Sequence, residues 1–221
     1  MCGRFAVTLP PDAMAQLFSA VPGNDLPPVP NYNVCPTNQI HVVRSDDGQR
    51  RLGAMRWGFL PHWYKATNAG PLLINARAET IAEKPAFKAA CRERRCLIPA
   101  TGFYEWTKDE GGARLPWYIR PAGEGPLVFA GVWQDWERDG EAYRTCAIVT
   151  CGANAQMSAI HHRMPVILAP EDWGKWLGEE GRGAATLMAP APEGALTFFR
   201  VGTEVNSNRA SGAQLIEPLS P

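Results

Sequence analysis

The chain has no surplus charge: 22 Lys and Arg stand against 22 Asp and Glu in 221 residues, for a formal net charge of +0. Bulk attraction to a polyanion is therefore excluded, and any nucleic-acid contact has to come from a local cluster of arginines. Also missing is an apolar run near the ~18 residues that a membrane span needs. No basic stretch followed by an apolar one opens the chain, so no signal peptide is expected and the protein reads as cytoplasmic. Histidine is scarce, at four residues. The six cysteines, Cys2, Cys35, Cys91, Cys96, Cys146 and Cys151, lack metal-site spacing. Cys146 and Cys151 lie at an odd separation on one expected strand, which turns their thiols to opposite faces. On a helix, Cys91 and Cys96 diverge by more than a right angle. Reduced thiols and no structural zinc are expected. Internal repeats and low-complexity linkers are absent too. With 45% hydrophobic and 20% charged residues, the composition is that of a globular protein rather than a disordered one.

Met1-Cys2-Gly3-Arg4-Phe5 is the stretch around which the rest is read. Removal of the initiator methionine would leave Cys2 with a free α-amine beside its thiol, a 1,2-aminothiol that no internal cysteine can offer. Ordinary values near pKa ~8 for the amine and ~8.5 for the thiol leave a nucleophilic fraction of each at neutral pH. Such a pair can attack an amide carbonyl, as N-terminal nucleophiles do. It can also condense with an aldehyde, first to a Schiff base and then to a five-membered thiazolidine. The competing reading is a buried cysteine that packs as a small hydrophobe in the first strand.

Helical spacing of Met14, Leu17 and Phe18 after Leu9-Pro-Pro-Asp12 predicts a short first helix. Ile40–Val43 and Leu52–Trp57 read as a hairpin around Asp46-Asp-Gly48. Pro85 is expected to open a helix carrying Phe87, Ala90 and Cys91. A run of strands follows: 96–99, 103–106, 117–120, 127–133 and 143–150. Pro170-Glu-Asp-Trp173 starts a short helix with Trp176 and Leu177 on its apolar face, and a last strand pair is expected around 198–201 and 203–205. The predicted architecture is one α+β domain over residues 1–221, with a curved, barrel-like, mainly antiparallel sheet and a looser tail from about 207.

Several side chains could carry chemistry. Glu105 lies in the aromatic strand Gly102-Phe-Tyr-Glu-Trp106, where a dry pocket would suit it to acid–base work; a solvent-facing strand glutamate is the alternative. His161 and His162 precede Arg163-Met-Pro165 on a linker entering a strand. Asn75, before Ala76-Arg77, could fix a nucleophile or a substrate oxygen, or simply form a turn. Arg4, Arg77 and Arg163 each neighbour one of these candidates, and guanidinium groups suit phosphate. Trp63 stands in a loop; arginine beside exposed aromatic surface is the pattern for single-stranded nucleic acid.

Taken in order, Met1-Cys-Gly-Arg-Phe5, Asn33-Val-Cys-Pro36, Arg56-Trp-Gly58, Asn75-Ala-Arg-Ala-Glu-Thr80, Arg95-Cys-Leu-Ile-Pro99, Gly102-Phe-Tyr-Glu-Trp106, Ala130-Gly-Val-Trp133 and His161-His-Arg-Met-Pro165 resemble the SOS-response-associated peptidase (SRAP) family, whose members shield abasic sites in single-stranded DNA. The resemblance implies that Cys2, once exposed, forms a thiazolidine with the ring-opened sugar. It implies that Asn75 holds Cys2 and the sugar, and that Glu105 shuttles protons in ring closure and reversal. His161 would help open the sugar and support lyase chemistry, while His162 falls at a variable position. Arg4, Arg77 and Arg163 would hold phosphates, with Thr150, Pro36 and Trp63 further along the DNA path. No metal or organic cofactor is implied, and the expected form is a monomer in a bacterial cytoplasm that meets the nucleoid under damage. Two rival readings use the same residues: a cysteine peptidase or amidohydrolase that also removes Met1, and a non-covalent single-strand binder with a vestigial Cys2.

Overall fold

The structure is a computed structural model and describes residues 2–219. The chain opens with β1 (Phe5–Val7) and α1 (Pro11–Phe18), followed by β2 (Val21–Pro22), β3 (Asn31–Val34), β4 (Gln39–Asp46) and β5 (Gln49–Trp57). After a long loop come β6 (Asn75–Arg77), α2 (Lys88–Glu93), β7 (Arg95–Ala100), β8 (Gly102–Lys108) and β9 (Arg114–Pro121). The second half holds β10 (Leu127–Arg138), β11 (Glu141–Gly152), α3 (Ala155–Ser158), β12 (Arg163–Pro165), α4 (Trp173–Leu177) and β13 (Leu196–Arg200).

Two hairpins set the curvature. In the β4–β5 turn, Asp47 and Gly48 both have positive φ (49° and 80°); in the β10–β11 turn, Asp139 and Gly140 repeat the pattern (52° and 83°). Paired left-handed residues of Asp-Gly type make two-residue turns whose twist matches that of the flanking strands. The strand order β11-β10-β7-β4-β5 then closes on itself, because β5 pairs in parallel with β11 through Thr145↔Arg56 and Cys146↔Trp57. The result is a five-stranded mixed barrel, with β2, β6 and β12 added at its margins. A second, antiparallel sheet in the order β13-β9-β8-β1-β3 packs on it. The joint is aromatic: Phe5 lies 5.1 Å from Trp57 and 6.1 Å from Phe129, and Phe103 lies 5.9 Å from Phe129, centroid to centroid.

α1 buries Met14 and Phe18, and Phe18 stacks on Trp173 at 4.6 Å. Leu17 remains 40% exposed, so the buried stripe is narrower than the spacing suggested. Two expectations need correction. The helix expected from Pro85 begins at Lys88, because successive turns over 80–87, with Glu83 N–H donating to Thr80 O and Phe87 N–H to Lys84 O, take up the preceding backbone. Thr203–Asn206 is a 3₁₀ turn rather than a strand; Val205 within it and Leu215 beyond it are buried in one cluster with Ala6, Tyr104 and Tyr118.

Candidate functional site

The site lies where the two sheets meet. β1 and β8 run antiparallel with Phe5 opposite Phe103, and Tyr104 N–H donates to Arg4 O at 2.9 Å. Extending that register brings Gly3 beside Glu105, so the pairing itself carries Cys2 to the carboxylate. Cys2 is 0% exposed and Glu105 3% exposed. Asn75 arrives from the barrel side. Its strand β6 pairs in parallel with β11, Asn75 opposite Ile148, and Asn75 Nδ2 donates to Cys2 O at 3.0 Å. Ile74, just before it, is held twice: its carbonyl accepts from Trp57 Nε1 and from Ile148 N–H, each at 3.0 Å. The Asn75 Oδ1 atom is buried and has no hydrogen-bond partner among the described residues. An amide oxygen enclosed in this way is ready to accept from a hydroxyl or amine brought in by a ligand.

His161 comes from the turn between α3 and β12. Its N–H donates to Met157 O at 2.9 Å, and its Nδ1 lies 3.0 Å from the Arg163 N–H. Nδ1 also lies 3.2 Å from Arg163 O, so the neutral ring can accept from the N–H with its proton on Nε2 or donate to the carbonyl with its proton on Nδ1. His161 is half-buried, whereas the exposed His162 stacks on its outer face at 4.4 Å.

The electrostatics favour neutral forms of both reactive side chains. Burial, and after it the Glu105 charge, pushes the Cys2 thiol well above its ordinary value. Burial lowers the pKa of His161 against the opposing pull of Glu105. A thiol held protonated beside a carboxylate attacks only as its proton is taken, and Glu105 is the carboxylate in place. Among the described residues no group of three His, Cys, Asp or Glu stands together as metal ligands would.

Two cavities flank this centre, with no lining residue in common. One, of 540 Å³, runs from Asn75 past Arg77 and Lys84 between Trp63 and Phe87. The other, of 330 Å³, opens from Gly3, Glu105 and His161 toward Arg4, Trp106, Lys108 and Arg114.

The residues expected to contact DNA divide into two groups. Arg77 is exposed on the first cavity, Trp63 (45% exposed) forms its rim, and Arg4 lines the second. Arg4 is also tied down, with Nη1 donating to Asn33 Oδ1 at 2.7 Å and to Val205 O at 2.9 Å. Pro36 is half-buried at the turn after β3 and lines neither cavity. Arg163 and Thr150 lie inside. Arg163 makes a two-pronged pair with Glu79 (2.6 and 3.0 Å), and its Nη2 also donates to Thr150 O and Oγ1 (2.8 and 3.2 Å). Thr150 is 0% exposed, so its hydroxyl serves Arg163 rather than an outer surface.

Sequence reading passed over Lys84, Lys108 and Arg114. The last two become partners only through the hairpin register, which sets Lys108 opposite Arg114 across the 109–113 turn. Asn33 was legible only as a motif letter. In the fold, Asn33 Nδ2 holds Ala210 O at 2.7 Å, and Asn206 Oδ1 accepts from Trp106 Nε1 at 2.6 Å.

The chain is 35% identical over 224 residues to the abasic site processing protein YoqW of Bacillus subtilis, covering 98% of this chain and 99% of that one. It is 30% identical to the abasic site processing protein YedK of Escherichia coli, over 99% and 100% of the two chains. With the abasic site processing protein HMCES of Gallus gallus it shares 32%, covering 86% of this chain and 66% of the relative. A crystal structure of a protein from Bacteroides thetaiotaomicron superimposes with a TM-score of 0.86 at 25% identity, over 99% of this chain and all of that one. The model of the SOS response associated peptidase (SRAP) family matches residues 1–208, and the chain belongs to that family.

Proposed function

We propose that this protein senses and shields abasic sites in single-stranded DNA by forming a covalent thiazolidine through Cys2 once Met1 has been removed. The observation that carries the reading is the convergence of Asn75, Glu105 and His161 on Cys2 between two flanking cavities. Three relatives named for abasic site processing support it.

In this reading the α-amine of Cys2 adds to the aldehyde of the ring-opened sugar, and loss of water gives a Schiff base. The thiol then adds to the imine carbon, its proton passing to Glu105, and the five-membered ring closes as the nitrogen takes a proton. Glu105 can return that proton to sulfur, which reopens the ring and accounts for reversal. His161, held neutral by burial, acts on the sugar oxygen during opening and is the group for lyase chemistry. Asn75 fixes the Cys2 carbonyl and offers Oδ1 to a sugar hydroxyl. The chain acts as a single-domain monomer.

A labelled single-stranded oligonucleotide with one abasic site, mixed with the purified protein and run on a denaturing gel, tests this. Wild type is expected to give a shifted band, and Cys2→Ala or a form with Met1 retained none. A correctly processed, folded sample with no shifted band would refute the shielding reading. The same side chains would serve an amide hydrolase, as the family description suggests; turnover of peptide substrates without any DNA adduct would favour that reading instead.

A further inference from the structure

At the mouth of the second cavity two cations oppose each other. Lys108 and Arg114 are direct cross-strand partners in the β8–β9 hairpin, and both are exposed. Like charges directly opposite in an antiparallel pair destabilise it. No carboxylate relieves them: among the described residues neither takes part in an ion pair. The nearest acid in the turn, Asp109, uses Oδ1 to accept from Ala113 N–H at 2.8 Å.

Arg114 is nevertheless held in place. Its guanidinium lies 4.6 Å from the centroid of the Trp106 ring, and Asn206 Nδ2 donates to its carbonyl at 3.1 Å. Asn206 also fixes the Trp106 indole, so one side chain from the C-terminal segment positions ring and hairpin together. Both cations line the cavity that reaches Gly3, Glu105 and His161. Two opposed positive charges, unneutralised and opening onto a reactive centre, suit an anion that bridges them.

We propose that Lys108 and Arg114 hold a backbone phosphate flanking the abasic nucleotide, on the flank away from Arg77. The proposal rests on the reading of the site given above and adds a subsite to it. In this arrangement the DNA supplies the charge that the hairpin lacks, so the cross-strand repulsion is relieved only in the complex. Arg4, on the same cavity but tied to Asn33 and Val205, forms its inner wall.

The test measures cross-linking rates below saturation, using abasic single strands in which one flanking phosphate at a time is replaced by an uncharged methylphosphonate. In wild type, one position is expected to slow the reaction about tenfold through the loss of one phosphate contact. The double variant Lys108→Gln/Arg114→Gln should be slow to a similar degree on the unmodified strand and indifferent to that same replacement. It should stay sensitive to replacement on the other flank. Its salt dependence of binding, as log K against log[salt], should be shallower by about 0.7. Lys108→Glu guards against a folding artefact: it pairs favourably with Arg114, so its thermal stability should equal or exceed that of wild type while cross-linking is slowed. Wild-type rates in both variants, or unchanged sensitivity at every position, overturn the subsite alone. A wild-type protein that cross-links no abasic strand overturns the reading of the site, and the subsite with it.

Discussion

The two flanks of Cys2 are built from opposite materials. On the Asn75 side the wall is largely apolar, with Trp63, Leu73, Pro85 and Phe87, and the cations Arg77 and Lys84 stand among it. On the Glu105 side the wall is polar, and Arg4, Lys108 and Arg114 dominate it. A nucleobase stacks on an aromatic face whatever its sequence, and the gain is largely independent of salt. A phosphate is held by charge, and the gain falls as salt rises. On the proposed reading, a strand between two such flanks is gripped by a base on one side and by its backbone on the other, with the sugar that lacks a base at the thiol.

The comparison can be broken most completely at its centre, where both flanks lose their purpose together. Glu105→Gln keeps the shape of the site but not the base; covalent product should form about 10²–10⁴-fold more slowly, while non-covalent affinity for the strand is retained. Rapid-quench gels alongside anisotropy would separate the two. Asn75→Ala releases the Cys2 carbonyl and should cost about 10²-fold in rate through misplacement of the nucleophile. Equal rates in wild type and variant would remove Asn75 from the mechanism.

The flanks themselves are distinguished by salt. Trp63→Ala should weaken binding by about 1–3 kcal/mol with no change in the slope of log K against log[salt]. Arg77→Gln should flatten that slope by about 0.7, with a smaller loss at high salt than at low. Should the tryptophan variant alter the slope, or the arginine variant leave it alone, the division between a stacking flank and a charged flank does not hold.

The smallest effect belongs to neither flank. Burial lowers the pKa of His41 in β4, as it does that of His161, so each imidazole binds its proton more weakly in the folded chain than in the unfolded one. The unfolded chain then takes up more protons as pH falls through the ordinary value near ~6.5. Their contribution to stability is therefore present above that value and is lost below it. Thermal melts should show a lower Tm at pH 5.5 than at 7.5, and His41→Gln should reduce the difference. An identical difference in the variant would exclude His41 as a source.

Much of this was legible in the chain before it folded. The Asp-Gly turn announced the first hairpin, because positive φ at two successive positions leaves few other outcomes; the same signal at Asp139-Gly140 marks the second. The central residues were legible because their chemistry is uncommon at those places: a cysteine at position 2, a carboxylate among aromatics, a histidine before a strand. What the sequence hid was occupancy. Arg4, Arg77 and Arg163 look alike as letters, yet Arg77 is exposed, Arg4 is tied to backbone and Arg163 is buried and paired with the exposed Glu79. That outcome depends on which partners the barrel brings within reach, and Glu79, Thr150 and Arg163 meet because β6 and β12 both pair with the end of β11. Helix starts were similarly hidden, since Pro85 fits the first turn of a helix and also the chain of turns that precedes α2.

One consequence of the barrel's closure reaches beyond chemistry. β5 and β6 lie in parallel along the same strand, β11, one where the other leaves off, and residues 58–74 depart and return between them. Its near end is part of the core: Phe59 and Leu60 are buried, Leu60 N–H donates to Thr145 Oγ1 at 3.1 Å, and Gln134 Nε2 donates to Leu60 O at 2.8 Å. Trp136 Nε1 likewise holds Tyr64 O at 3.1 Å. Trp63 therefore stands between two pinned neighbours, and only the more exposed residues 65–72 can change length without disturbing the strand that carries Asn75.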